Sequence, residues 1–183
     1  MNYTDNAMTS VRRINNEDRT KIFELYKTVS QIPGGIARIE SEITQGYIDT
    51  AMKCSANNGL QLVAEDPAGN NQLIGEIHCY KLGPSVFNHV LSELTIVVHP
   101  GFQSMGIGKK LFGALLEIVS NERPDILRIE LIVRESNLKA IGFYQSLGFT
   151  IEGRLEKRIR GITGLLEADI PMAWFNASSK KVE

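Results

Sequence analysis

The sequence is short of the residues that would commit it to several common functions. Only two of its 183 residues are cysteine, Cys54 and Cys79. They form no CxxC pair and are too few for a disulfide framework or a zinc site of their own, so they read as reduced thiols within a core. Positive charge is not in surplus: 20 lysines and arginines stand against 21 acidic residues, leaving no field to draw in a nucleic-acid backbone or an anionic membrane. No apolar run approaches the roughly 18 residues needed to cross a bilayer. The first ten residues lack the basic start and apolar stretch of a secretory signal, so a cytoplasmic location is expected. Repeats and low-complexity blocks are also missing.

What is present is an ordinary globular composition, 43% hydrophobic and 22% charged, which favours neither disorder nor a fibre. The whole chain, 1–183, suits one domain, ordered from about 11 to 175, with loose ends at the first nine residues and from Asn176 onward. The hydrophobic period supplies the elements. A strand at Val11 to Ile14 is followed by a helix capped by Asn15 or Asn16, with Ile22, Leu25, Tyr26 and Val29 on one face and Pro33-Gly34-Gly35 as its stop. A second helix is expected from about Arg38 to Cys54, on the stripe Ile39, Ile43, Tyr47 and Ala51. Leu60 to Glu65 and Leu73 to Leu82 form a hairpin, and Leu94 to Val98 reads as a strand buried on both faces.

The period then becomes helical from Gly108, through Leu111, Phe112, Leu115, Ile118 and Val119 to Pro124. A strand near Leu127 to Val133, a short helix from Leu138 to Leu147 capped by Gly148, and a last hairpin of Phe149 to Ile159 with Leu165 to Trp174 complete the chain. The predicted order is β-α-α-β-β-β-α-β-α-β-β.

One segment carries most of the chemistry: Val98-His99-Pro100-Gly101-Phe102-Gln103-Ser104-Met105-Gly106-Ile107-Gly108-Lys109, between a strand and an amphipathic helix. Glycines at 106 and 108 let a ligand approach the backbone, and the first N–H groups of the helix point outward with the positive end of its dipole behind them. Such a corner holds phosphates. A nucleotide P-loop would need Gly-Lys-Ser/Thr, but Gly108 is followed by Lys109-Lys110-Leu111. A dinucleotide fold would need a third glycine where Leu111 stands.

The pattern that remains is Gln/Arg-x-x-Gly-x-Gly/Ala, matched by Gln103, Gly106 and Gly108, and here the chain resembles the GNAT superfamily of acyl-CoA N-acyltransferases. Asn137-x-x-Ala140-x-x-x-Tyr144-x-x-x-Gly148-Phe149 is similar to that superfamily's second hallmark at the same spacing. With the elements before them, the likeness covers about Val11 to Phe175. It departs from the commonest forms at Ser104, where many relatives carry glycine, and at Gly101, where many carry aspartate; neither removes a backbone donor.

The resemblance implies an α/β (α+β) fold, a mixed and mostly antiparallel sheet of about seven strands flanked by about four helices. It also implies acetyl-CoA as the acyl donor, with no metal. The pyrophosphate would bind the backbone from Gln103 through Ser104, Met105, Gly106, Ile107 and Gly108 to Lys109. The pantetheine arm would lie along Ile96, Val97 and Val98, in a slot parted from the strand at 127–133, with the thioester near Val98 and a backbone N–H there for the oxyanion. Asn137 corresponds to a residue that hydrogen-bonds that arm, although it can equally be an N-cap. Tyr144 corresponds to the tyrosine that protonates the departing thiolate. Glu93, at the start of the central strand, is the candidate base for the amine, placed on the face of Thr95 and Val97 by simple alternation; a solvated strand-end glutamate is the competing reading.

Other polar residues carry less. His99 shapes a turn, and His78 and His89 have no visible partner. Arg154, Glu156, Arg158 and Arg160 read as a solvated strand face rather than an acid-binding groove. The expected activity is transfer of acetyl to a primary amine of a small molecule or peptide by direct attack on the thioester; the rival is an acyl-CoA-binding regulatory domain without turnover. The segments expected to choose the amine are the first two helices, the loop from Lys81 to Leu91 and the last hairpin, and the edge strands are compatible with a homodimer.

Overall fold

The structure, a computed structural model, describes residues 9–161 and 164–178. The expected looseness of residues 1–8 and 179–183, and the tip of the last hairpin at 162–163, lie outside the described residues. Eight strands form one sheet in the order β1-β2-β3-β4-β5-β8-β6, with β7 also paired to β8. They are β1 (Val11–Arg13), β2 (Gly59–Glu65), β3 (Leu73–Tyr80), β4 (Val90–Val98), β5 (Arg128–Arg134), β6 (Thr150–Ile151), β7 (Leu155–Arg160) and β8 (Leu166–Phe175). Every pairing is antiparallel except β4 with β5. Four helices flank the sheet: α1 (Arg19–Ser30), α2 (Gln45–Asn58), α3 (Ile107–Glu122) and α4 (Leu138–Ser146). This is the mixed, mostly antiparallel architecture expected from the sequence, with one strand more.

Two cores lie on opposite faces. Leu111, Phe112, Leu115 and Val119 of α3 pack with Leu62, Ile77, Leu91, Ile129 and Leu131 of the sheet, and Phe143 and Tyr144 of α4 join them. Ile22, Leu25, Tyr26 and Val29 of α1 and Ile48 of α2 pack on Val63, Leu73 and Val97 from the other side. At Gly75 a Cβ would lie 2.9 Å from both Ile107 and Leu111, so glycine there lets the start of α3 settle directly onto β3.

Local chemistry sets the ends of the elements. Asn15 Oδ1 accepts the Glu17 N–H at 2.8 Å, while Asp18 accepts the Asn15 N–H at 2.8 Å, and that cap leads into α1. Asp18 also accepts two hydrogen bonds from Arg12, at 2.7 and 2.8 Å. Gly148, at φ +92, ends α4 as anticipated.

Three expectations need correction. α2 begins at Gln45, capped by Thr44, whose Oγ1 accepts the Tyr47 N–H at 3.1 Å; before it Glu40–Glu42 makes a single 3-10 turn and Ile39 is 66% exposed. The four-residue apolar repeat ran across a break that Thr44 marks. The expected strand 149–159 is two strands, β6 and β7. Pro171 of β8 turns its backbone to this side, since its carbonyl accepts the Glu152 N–H, and has no N–H to return, so pairing lapses until Leu155. Asn176, assigned to the loose tail, is 4% exposed and donates through Nδ2 to the Ile126 carbonyl at 3.0 Å.

Candidate active site

β4 and β5 are paired at only two positions, Val90 with Arg128 and Leu91 with Ile129. Beyond them the strands part. The fork is fastened at its base by a hydrogen bond from Ser92 Oγ to Glu130, a carboxylate that also accepts from Arg128. β4 was expected to be buried on both faces; instead Leu94, Thr95 and Ile96 are only half-buried, because no strand covers them on the β5 side.

The opening exposes backbone groups. The His99 N–H donates to the Ile74 carbonyl at 2.8 Å, so strict alternation turns the N–H and C=O of Val98 and Ile96 away from β3 and into the fork. Val97 is different: its side chain is 2% exposed within the α1–α2 core. A cavity of about 230 Å³ fills the opening, bounded by Leu94, Thr95 and Ile96 on β4 and Leu131 to Arg134 on β5. Asn137 and Tyr144 close it from α4, and Gly34 to Arg38 and Tyr47 close it from the α1–α2 side.

At the open end of the fork stands the glycine-rich corner. His99 Nδ1 accepts the Gly101 N–H at 3.1 Å, which is the turn-shaping role read from the sequence. Gly106 takes φ +82 as the N-cap of α3, and Ser104 also has positive φ, +63. Gln103 through Gly106 are exposed, as is Lys109, while Ile107 is buried against Gly75. Apart from a weak turn contact within 99–107, no described residue accepts the N–H of any residue from Ser104 to Lys109 in good geometry; the first bond of the ladder is Lys110 to Gly106. Six consecutive donors at the positive end of a helix make an anion cradle. A Cβ at Gly106 would meet nothing within 4 Å, and one at Gly108 would reach only Ile96 and Phe143 at 3.9 Å. That space suits a diphosphate.

Tyr144 is held by aromatic neighbours, with ring centroids 5.5 Å from Phe112 and 6.0 Å from Phe149. Burial pushes its phenol up to about 12, so the hydroxyl stays protonated throughout the neutral range. Asn137 caps α4, its Oδ1 accepting the Ala140 N–H at 3.1 Å, and borders the cavity as well. The two readings of Asn137 are therefore compatible.

Glu93 has φ +54 and lies in a bulge, where the β3–β4 register shifts between His78–Thr95 and Tyr80–Ser92. The bulge breaks the regular alternation there, yet Glu93 still lines one cavity with Thr95 and Ile132. Its exposed side chain borders a neighbouring cavity of about 440 Å³, which shares Leu94 and Thr95 with the first.

These features match a known family. The sequence profile of the acetyltransferase (GNAT) family fits residues 20–149. The chain belongs to that family. GNAT acetyltransferases are acyl-CoA-dependent transferases, and solved structures repeat the fold. An acetyltransferase of the GNAT family from Streptococcus pneumoniae superposes with a TM-score of 0.77 at 20% identity, over 92% of this chain and 99% of that one. A GNAT superfamily phosphinothricin acetyltransferase from Sinorhizobium meliloti, in complex with AcCoA, gives 0.79 at 16% identity, over 96% and 92%. The ribosomal-protein-S5-alanine acetyltransferase from Vibrio fischeri gives 0.76 at 20%, over 94% and 95%. No curated protein matches the chain in sequence.

Several residues around this GNAT fork were not marked by the sequence. Thr95 and Leu94 line both cavities, and Arg38 and Arg134 line the first. His78, 3% exposed, has the partner that was not visible before: its Nδ1 lies 3.0 Å from Glu76, a fully buried carboxylate that also accepts from Tyr26 at 2.6 Å and Gln61 at 2.8 Å. Cys79 is buried and its thiol is pushed up to about 12 by that burial; Cys54 is half-buried. Among the described residues no His, Cys, Asp and Glu cluster could hold a metal ion, and no helix is long and apolar enough to cross a membrane.

Proposed function

We propose that the protein is a single-domain, cytoplasmic N-acetyltransferase that moves acetyl from acetyl-CoA to the primary amine of a small molecule or peptide by direct attack. The observation that supports this most is the row of largely unengaged N–H groups from Ser104 to Lys109, opening onto a fork whose wall carries Tyr144. When bound, acetyl-CoA supplies an acyl group activated as a thioester with a thiol as leaving group.

The residues divide the remaining work. Backbone N–H groups of 104–109 hold the pyrophosphate, and the Ile96 and Val98 backbone, with Asn137, aligns the pantetheine arm. Tyr144 shares its cavity with Leu94, Thr95 and Ile96 rather than with Val98, so the reacting carbonyl belongs deeper than Val98. The Ile96 N–H is then the donor for charge developing on the acyl oxygen, a preorganised contact contributing about 3 kcal/mol. Glu93, one shared wall away, takes the proton from the attacking amine directly or through water. Tyr144 places its proton on the leaving sulfur as the carbon–sulfur bond breaks. A phenol near 12 and a thiol near 8.5 differ by about 5 kcal/mol against complete transfer. The proton therefore moves only as negative charge builds on sulfur, and the contribution falls near the lower end of the usual general-acid range, about 100-fold.

Thiol release measured over a panel of amines tests this. Tyr144→Phe is expected to lower kcat about 100-fold with KM for acetyl-CoA unchanged, and Glu93→Ala to lower it about tenfold with partial recovery as pH rises. Full activity in Tyr144→Phe would remove the proton-donor assignment. Tight binding of acetyl-CoA with no thiol release for any amine would favour a regulatory domain instead.

A further inference from the structure

The acceptor side of the fork is unusual in its charge. The 230 Å³ cavity is lined by two cationic side chains, Arg38 and Arg134, and by no acidic residue. Both also line the adjoining space of about 650 Å³ that runs out beneath the α1–α2 segment, where Glu40, Glu42 and Arg160 join them. We propose that they bind an anionic group of the acceptor, so that the substrate is a small amine carrying its own carboxylate, of the amino-acid type. This rests on the acetyltransferase reading above and narrows it.

The other arginines near these spaces have partners. Arg158 donates to the buried Asp169 at 2.9 Å, Arg160 to the Gly164 carbonyl at 2.7 Å, and Arg128 to Glu130 and Glu152 at 2.9 and 2.7 Å. Arg154 pairs with Glu135 and Glu156. The charged alternation Arg154, Glu156, Arg158 and Arg160, read from the sequence as a solvated strand face rather than an acid-binding groove, is thus largely consumed internally. Arg38 and Arg134, by contrast, have no carboxylate partner among the described residues. Arg38 lies over the Tyr47 ring, 4.2 Å from its centroid, and reaches the Tyr47 hydroxyl, contacts with a neutral side chain that orient the guanidinium without neutralising it.

Position supports the same conclusion. Ile129, Leu131 and Val133 point into the α3 core, so Ile132 and Arg134 point to the opposite, α1–α2 face. The phosphate corner belongs to α3, whose helix packs on the other face of the sheet. Gly34, at φ +76, brings the α1–α2 segment so close that a Cβ there would sit 4.0 Å from the Arg134 guanidinium, which places Arg134 beneath the segment that carries Arg38. Two guanidinium groups lining one cavity suit the planar, bidentate geometry of a carboxylate. The same pair repels a polyamine or any acceptor with a second cation.

The test compares an amino acid, its carboxamide and a diamine as acceptors, in thiol-release kinetics with acetyl-CoA. A free amino acid is expected to exceed its carboxamide by at least 100-fold in kcat/KM, with the diamine slowest. Arg38→Ala and Arg134→Gln are each expected to raise KM for the amino acid 10- to 100-fold, to leave KM for acetyl-CoA unchanged and to erase the preference over the carboxamide, with Arg38→Lys recovering part of it. Equal rates for acid, amide and diamine would overturn the proposal, as would free peptides reacting as well as amino acids, or a KM change confined to acetyl-CoA. Loss of acetyl-CoA binding and of all turnover is a different outcome, which sinks the enzymatic reading itself.

Discussion

The two walls of the fork are built from different materials. On the coenzyme side, α3 and its approach loop offer main-chain N–H groups, and the side chains there are exposed or serve packing, as Ile107 does against Gly75. On the proposed acceptor side, recognition would depend on side chains delivered from distant parts of the chain: Arg38 from the α1–α2 segment, Arg134 from the end of β5, Glu93 from a bulge in β4. A backbone site tolerates sequence change as long as two glycines and a helix start remain. A side-chain site is redrawn by single substitutions, so one fold can keep its donor and change its acceptor.

The largest expected effect is on the α1–α2 side, where a polar network underlies the acceptor wall. Glu76 accepts from Tyr26 and Gln61 and sits against His78, all of them buried. Glu76→Leu leaves three polar groups without their acceptor and should cost about 3–5 kcal/mol, read as a fall in the denaturant midpoint. A loss below 1 kcal/mol would show that this wall is not held by its polar core.

A middle effect concerns acid. The Arg12 guanidinium beside Asp18 holds that carboxyl below its usual range, and it does the same for Glu65. Groups with depressed values contribute stability above the ordinary carboxylate range and lose it as pH falls through the folded-state value. Stability is therefore expected to be flat near neutrality and to decline below about pH 4. Asp18→Asn, which breaks a pair whose acid is 1% exposed, should cost about 2 kcal/mol at pH 7 and flatten part of that decline.

The smallest effect lies on the backbone side. A Cβ at Gly108 has room within the protein, so Gly108→Val should leave the melting temperature within about 2 °C while raising KM for acetyl-CoA about tenfold. Unfolding, or an unchanged KM, would break the contrast between the two walls.

The same contrast explains what could be read from the chain. The structure of the glycine-rich corner and of α4 was legible because its signals are local and punctuated: Gly106 and Gly108 at a helix start, Asn137 as a cap, Gly148 as a stop. Tyr144 was marked only by the family resemblance of the segment that begins at Asn137. The acceptor wall was not legible, because its geometry is decided by tertiary structure. The bulge at Glu93 shows no glycine, although φ is +54 there. The availability of Arg38 and Arg134 depends on which acids other arginines reach. Two misreadings did leave traces in the sequence, Thr44 as the cap of α2 and Pro171 as the cause of the break between β6 and β7, but each was masked by a stronger hydrophobic period.

On the proposed reading, main-chain N–H groups from Ser104 to Lys109 hold the coenzyme. Titrating the isotopically labelled protein with acetyl-CoA, while following backbone amide resonances, tests it most directly. Saturable binding at one site is expected, with the amides of 104–109 and of Ile96 shifting most. Binding that leaves those amides unmoved, or no binding at all, would contradict it.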